Sequence, residues 1–339
     1  MGSAILVTGD GTPEELVWAP ASDPILGPGD VLIAVEATAF NNADALQRRG
    51  TYPPPPGASD ILGLECAGTV AAIGADVTEF RVGDRVCALL AGGGYAQHVS
   101  VPWQQVLPVP DGLSMIEASA LPEAMCTVWS NIPAPLRNGA GLDGAARWAL
   151  IHGASGGVGS LASRMLRAIG YRIVATAGDA DRAAACTADG AVAAFSYRSP
   201  TWASDALDAT DGARFSFVLD VAGAKNLADN VSVLADLGHI AVIALQGGSR
   251  TELDLGALMR RRGSLSATTL RARPLPGAGG KAEIVADVRA DLWPLVASGR
   301  IRPLIGAVEP IVRGAASVHR ASEDGRLPVG KVVLTVPSA

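Results

Sequence analysis

The sequence predicts a two-domain α/β protein, with a doubly wound parallel sheet in one domain and an irregular β-rich fold in the other. Three observations carry that prediction. The chain has 339 residues, enough for about two domains at the usual ~150 residues each. Up to about residue 121 its apolar runs are short and broken by turn residues, the pattern of a β-rich unit. From residue 147 strand and helix patterns alternate, which calls for a parallel sheet with helices on both faces.

In the first third, strands are expected at 31–37, 68–73, 85–90 and 95–99. Between them, Tyr52 leads into Pro53, Pro54, Pro55, Pro56 and Gly57, a stiff loop without the backbone donors a central strand needs. It belongs on the surface or along a cleft. Further on, strands at 148–152, 173–176, 215–221 and 239–245 alternate with helices after Gly157 and over 182–188. The end of the chain, 331–336, returns to β character. The β-rich domain is therefore expected over 1–122, completed by 300–339, with the strand–helix domain inserted over 123–299.

Composition narrows the function. Forty residues are glycine, well above the roughly 7% of ordinary proteins, which favours tight turns and close backbone approach. Acidic residues number 33 against 27 basic ones, a net charge of −6 that offers no general attraction to nucleic acid or anionic lipid. Cys66, Cys87, Cys126 and Cys186 lie far apart and form no CxxC pair, so they read as reduced, buried thiols. The apolar run 4–7 ends at Thr8, Gly9 and Asp10 without a basic flank, and no stretch approaches the ~18 apolar residues of a membrane span. A cytoplasmic protein with no nucleic-acid or membrane partner is expected.

The strongest local signal is His152-Gly153-Ala154-Ser155-Gly156-Gly157-Val158-Gly159, which follows an apolar strand and opens a helix with apolar positions 158, 161, 162, 165, 166 and 169. Glycines at 153, 156 and 159 let the chain turn sharply and let backbone amides approach a pyrophosphate, which the helix N-terminus attracts. The alternative is a glycine-rich turn with no ligand. The tip of the next strand is neutral, with Gly178, Asp179, Asp181 and Arg182 following. An acidic tip would hold a ribose 2′-hydroxyl and repel a 2′-phosphate, so the pattern favours NADPH, with NADH open. Arg182 is either a fork for that phosphate or a solvated helix charge. Asp179 and Asp181 either pair with it or hold a hydroxyl.

Together these residues resemble the medium-chain dehydrogenase/reductase superfamily. The run from Asn41 through Asp44 to Tyr52, and Gly63-Leu64-Glu65-Cys66-Ala67-Gly68, resemble its zinc-free quinone oxidoreductases, most nearly the tumour-suppressor-induced type. Gly92-Gly93-Gly94-Tyr95, Leu121-Pro122-Glu123, Arg262-Gly263-Ser264 and Leu270-Arg271-Ala272-Arg273 add to the likeness, which runs nearly end to end. The resemblance implies a Rossmann-type cofactor domain, a GroES-like catalytic domain and a homodimer paired through sheet edges. Zinc-dependent relatives carry Cys and His where this chain has Asn41 and Leu64, and its four histidines are scattered. No metal is expected.

The resemblance also assigns roles. It implies nicotinamide-side contacts from Asn41 and Thr127, and pyrophosphate contacts from Ser155, Gly156, Gly157 and Val158. Gly178, Arg182 and Tyr197 match the adenosine-phosphate end, and Leu245, Gln246, Leu270, Arg271 and Lys331 fall at cofactor-lining positions. Asp179 stands where the family usually shows Ser, which sets a carboxylate near the expected 2′-phosphate. Arg182 replaces a Lys and keeps the positive charge.

The expected reaction is hydride transfer from NADPH to a quinone or an α,β-unsaturated carbonyl. Tyr52 is the candidate catalytic donor to the oxygen that becomes negative, or else it stiffens the proline loop. Asn41, the second catalytic candidate, orients the acceptor or the nicotinamide ribose, or is a turn residue. Tyr95 belongs either to the cleft or to a hairpin strand. The alternative activity is reduction of an enoyl thioester or polyketide intermediate, for which Arg260, Arg261 and Arg262 would form a basic groove unless they are a solvated helix end. A non-catalytic nucleotide-binding protein is the third reading.

Overall fold

A computed structural model describes residues 2–138 and 147–338. Fifteen strands are described in it. The chain opens with β1 (Gly2–Val7), β2 (Leu16–Ala21), β3 (Asp30–Ala39), β4 (Glu65–Ile73), β5 (Arg85–Leu89), β6 (His98–Pro102) and β7 (Val106–Pro108). The middle carries β8 (Arg147–His152), β9 (Tyr171–Ala177), β10 (Ala193–Ser196), β11 (Phe215–Asp220), β12 (Leu234–Val242) and β13 (Ser264–Ala267). β14 (Ile305–Pro310) and β15 (Lys331–Thr335) close it.

Residues 127–269 form one compact unit. Its six strands pair in the order β10-β9-β8-β11-β12-β13, every neighbour parallel. Counted from β8, that is the 3-2-1-4-5-6 order of the Rossmann arrangement. Helices cover both faces, so β8, β9 and β11 are apolar and buried almost throughout. The helix Gly157–Ala168 buries Leu161, Ala162, Met165 and Leu166 on one face, and Gly170 just beyond it takes a left-handed φ of 95°. Trp148, Leu150, Val174, Phe215, Val218 and Ile240 pack together in the core. The strand expected over 239–245 ends at Val242. There the N–H groups of Ile243 and Gln246 turn to the carbonyls of Asp220 and Val221, which folds the chain over the end of β11.

The remaining residues, 1–126 and 270–339, form the second compact unit. Its seven-stranded sheet runs β14-β15-β3-β4-β5-β7, with β6 paired to β3, and β1 and β2 make a separate antiparallel pair. The terminal strand β15 sits between β14 and β3, parallel to the first and antiparallel to the second. This is the GroES-like unit, and its core gathers Val31, Ile33, Val35, Val70, Val86 and Leu334. A strand was expected at 95–99. Instead Gly94 and Tyr95 donate their N–H groups to Gly63 and Leu62, and the strand β6 begins at His98.

The units meet at 126/127 and 269/270, against expected limits of 122/123 and 299/300. The helix Lys281–Asp291 packs on the turn Trp103–Gln105. Lys281 Nζ donates to Arg273 O and Trp293 Nε1 to Pro108 O, both at 2.7 Å. The Trp293 bond and the packing on Trp103–Gln105 hold 270–299 in the GroES-like unit, although its helical patterning resembles that of the other unit. Among the described residues no helix is long and apolar enough to cross a membrane, and all four cysteines are free and buried.

Candidate active site

In the parallel sheet the strand order reverses between β8 and β11, and in such sheets ligands bind beyond the carboxyl ends of the strands at that switch. The glycine loop stands there. Gly153 has a left-handed φ of 65°, and a Cβ on Gly159 would lie 2.4 Å from Gly153 O and 2.7 Å from Ala154 Cα. Any side chain at 159 would push the helix off the loop. Ser160 N makes the first helical bond, to Gly156 O, so the N–H groups of Gly157, Val158 and Gly159 precede the ladder and point out of the helix start. Ser155 lies buried beside them. A helix of twelve residues adds its dipole to those amides, which makes the cradle fit a pyrophosphate.

Gly178, Arg182 and Tyr197 come together at the end of β9. A Cβ on Gly178 would meet Tyr197 Oη at 3.3 Å and Arg182 Cδ at 3.8 Å. Asp179 is the N-cap of the helix Ala180–Ala188: its carboxylate accepts from Arg182 N at 2.8 Å and lies 3.7 Å from Arg182 Nε. The carboxylate that replaces the family's Ser therefore serves as a cap. Leu245 and Gln246 are exposed on the loop after β12, and Thr127 is half-buried on the helix Pro122–Asn131.

The GroES-like unit holds a second cluster around Asn41. Lys331 Nζ donates to Asn41 Oδ1 at 2.6 Å and to the Glu65 carboxylate. Asn41 Nδ2 donates to Glu65 Oε1 at 2.9 Å and to Ala39 O at 3.3 Å, and Glu65 Oε2 accepts from Glu123 N at 3.0 Å. Asn41, Glu65 and Lys331 are all buried. Both amide protons of Asn41 are thereby used, so its free capacity is one lone pair on Oδ1. Below it, Asp44 accepts from the N–H groups of Asn41 at 2.8 Å and Gly63 at 3.0 Å. Burial pushes its pKa up to about 7.

A catalytic zinc does not fit these residues. Leu64 is buried and aliphatic, Asn41 Oδ1 already accepts from an ammonium group that repels a cation, and among the described residues no group of three or more His, Cys, Asp or Glu could hold a metal.

Arg271 locks the proline loop. Buried, it donates to Ala91 O at 2.8 Å, Tyr52 O at 3.3 Å and Gln47 Oε1 at 2.7 Å, with its guanidinium 5.5 Å from the Tyr52 ring centre. Leu270 beside it is also buried. A cavity of ≈ 590 Å³ opens in the same unit, lined by Pro55, Pro56 and Ser59 of the proline loop, Gly92, Gly93 and Arg273. Neither Asn41 nor Tyr52 lines it.

Tyr95 is not a cleft residue: it is fully buried, edge-on to His319 at 6.0 Å between centroids. The arginine run forms no basic groove, because Arg262 pairs with Asp236 and Arg260 reaches Asp254 at 4.0 Å, all exposed. Sequence reasoning assigned no role to Glu65 or Asp44. For Glu65 a signal was present, a carboxylate opening the largely apolar strand Glu65–Ile73 as Lys331 opens Lys331–Thr335, but only the pairing of distant strands shows that the two meet.

Two family descriptions match the chain: an alcohol dehydrogenase GroES-like domain over residues 27–111 and a zinc-binding dehydrogenase domain over 157–278. The chain belongs to the medium-chain dehydrogenase/reductase superfamily. Within it, the chain is 29% identical over 306 residues to a quinone oxidoreductase of Pseudomonas aeruginosa, covering 89% of this chain and 90% of that one. It is 31% identical over 330 residues to a mycocerosic acid synthase-like polyketide synthase of Mycolicibacterium smegmatis, 97% of this chain but only 15% of the synthase. A mycobacterial protein solved with NADPH superposes with a TM-score of 0.82 at 26% identity, over 99% of this chain and 100% of the other.

Proposed function

We propose that the chain is an NADPH-dependent, zinc-independent oxidoreductase that delivers hydride to a quinone or an α,β-unsaturated carbonyl. The observation that carries this reading is the convergence of Arg182 and Tyr197 over Gly178, next to a glycine loop shaped for a pyrophosphate. The mycobacterial neighbour solved with NADPH and the Pseudomonas quinone oxidoreductase support it.

When bound, NADPH supplies the hydride, and the protein supplies position and charge. The loop Ser155–Val158 holds the pyrophosphate through the free amides of Gly157 and Val158 and the Ser155 side chain, with Gly156 giving close approach, and Arg182 and Tyr197 hold the 2′-phosphate. Thr127, Leu245 and Gln246 bear on the nicotinamide side. Asn41, with only a lone pair to offer, accepts a hydroxyl proton and leaves the developing negative charge to Tyr52. That phenol donates its O–H hydrogen bond to the acceptor oxygen. Arg271 and Leu270 act one step back, and Arg271 fixes the loop that carries Tyr52. Lys331 acts through Asn41.

The synthase relative favours a second reading, reduction of an enoyl thioester or polyketide intermediate. Four free buried thiols fit a reducing cytoplasm. The edge strand β13, with exposed Leu265 and nearby exposed Leu237 and Met259, fits pairing with a second copy.

Anaerobic oxidation of NADPH against ortho-quinones, para-quinones, enones and enoyl thioesters separates these readings. Turnover with quinones or enones is expected, and Tyr52→Phe should lower kcat more than it raises KM for NADPH. Turnover confined to thioesters gives the second reading, and unchanged kcat in the variant returns Tyr52 to a structural role.

A further inference from the structure

The sheet of the Rossmann unit contains a buried polar chain that shares no residue with the candidate site. His152 ends β8, Thr176 lies in β9, Asp220 ends β11, and Asn230 lies on the helix Leu227–Val233; none is more than 1% exposed. The carboxylate at one end fixes every bond direction. Asn230 Nδ2 donates to Asp220 Oδ2 at 2.9 Å, which leaves Asn230 Oδ1 to accept from His152 Nε2 at 2.7 Å. The proton of the imidazole is therefore on Nε2. Nδ1 is a lone pair and accepts the Thr176 hydroxyl at 2.7 Å and, at 3.4 Å, Asn226 Nδ2. Burial lowers the pKa of His152 and keeps the ring neutral.

The chain continues into the loops. Asp220 Oδ1 accepts from the N–H groups of Ala222 at 2.6 Å and Gly223 at 3.1 Å, shaping the turn after β11. Ala154 N in the glycine loop donates to Thr176 O at 3.0 Å, and Gly247 N in the loop after β12 donates to Ala222 O at 2.7 Å. The loops after β8, β11 and β12 are thus joined to one another and to strand β9 across the point where the strand order reverses.

We infer that His152, Asn230, Asp220 and Thr176 are positioning residues: a buried brace that ties the loops after β8, β11 and β12 to strand β9, so that side chains which touch no ligand determine dinucleotide affinity. The inference rests on the dinucleotide reading above. It is tested by calorimetric titration of the full chain with NADPH and with adenosine 2′-monophosphate, whose single phosphate bears on the loop after β9 and not on the glycine loop. Thr176→Val removes the hydroxyl at nearly constant shape, Thr176→Ser keeps it, and Asn230→Leu cuts the middle of the chain. Kd for NADPH is expected to rise about tenfold in Thr176→Val and Asn230→Leu, since small misplacements at a site have effects of that order or more. Thr176→Ser should stay near wild type, and the Kd of the 2′-monophosphate should shift less than about threefold in every variant. An unchanged Kd for NADPH in folded Thr176→Val, or equal losses for both ligands, overturns the brace. A wild-type chain that binds neither nucleotide overturns the dinucleotide reading, and the brace with it.

Discussion

Arg182 and Asp179 show how one pair of side chains divides its labour. Asp179 caps the helix with a bond to Arg182 N, while the Arg182 side chain passes Gly178 with its Cδ, on the glycine that Tyr197 Oη also approaches. The carboxylate lies 3.7 Å from Arg182 Nε and is half exposed, so it weakens the arginine's hold on a phosphate without abolishing it. Arg182→Ala is expected to raise KM for NADPH at least about tenfold, the loss of one or two charge-assisted hydrogen bonds, and to leave KM for NADH nearly unchanged. Steady-state kinetics with both cofactors checks this, and equal effects would remove Arg182 from the phosphate site. The sequence could name Arg182 because it follows a strand tip by one turn. It could not choose between cap, partner and hydroxyl ligand for Asp179, since that choice depends on the direction of a helix N-terminus.

The glycine loop belongs to the scale of the element, where space at each position decides what is tolerated. At Gly159 a methyl group would stand 2.4 Å from a carbonyl oxygen, whereas at Gly156 the nearest atom is 3.4 Å away. Gly159→Ala is expected to cost about 1–3 kcal/mol, as overpacking does, and to lower dinucleotide affinity by lifting the helix start. Gly156→Ala should fold with near-wild-type stability. Urea unfolding of the two variants tests the contrast, and similar midpoints would show that the loop yields freely. This element was legible from the sequence because its signals are local: a strand, glycines at three-residue spacing and one apolar helix face. The strand over 95–99 was not, because the backbone of Tyr95 is drawn off by bonds to Leu62 and Ile5, distant along the chain.

Across the whole chain, three buried histidines, His152, His239 and His319, set the acid limit of stability, each with its pKa lowered by burial. His319 is buried between Phe40 and Tyr95, with neither ring nitrogen bonded, and burial, with Arg48 nearby, drives its pKa down to about 3. His152 is lowered in the same direction by burial. A histidine depressed in the fold stabilises it fully above its unfolded pKa of about 6.5 and progressively less as pH falls below that. Asp44 has the opposite sign: raised to about 7, it favours the fold while protonated and loses that contribution as pH climbs from about 4 to 7. Urea midpoints should therefore fall steeply between pH 6.5 and 4, and His319→Phe, which removes two unbonded nitrogens, should flatten that limb. An unaltered slope would assign the acid loss elsewhere. At the same scale, light scattering should give twice the 34.4 kDa chain mass if β13 pairs with a second copy, and a chain of single mass would leave that edge bare.

What the sequence determined by itself is what neighbours along the chain decide: the alternation of strand and helix, the glycine loop, the stiff proline segment and the missing metal-ligand residues at 41 and 64. Periodicity and turn chemistry act over a few residues, so they can be read without the fold. The tertiary structure alone decided which unit keeps residues 270–299, that Lys331 meets Glu65 266 positions away, and that His152, Asn230 and Asp220 link the ends of separate strands. Those choices rest on burial. A buried charge or amide must find partners, and the partners are whatever the sheet order brings beside it.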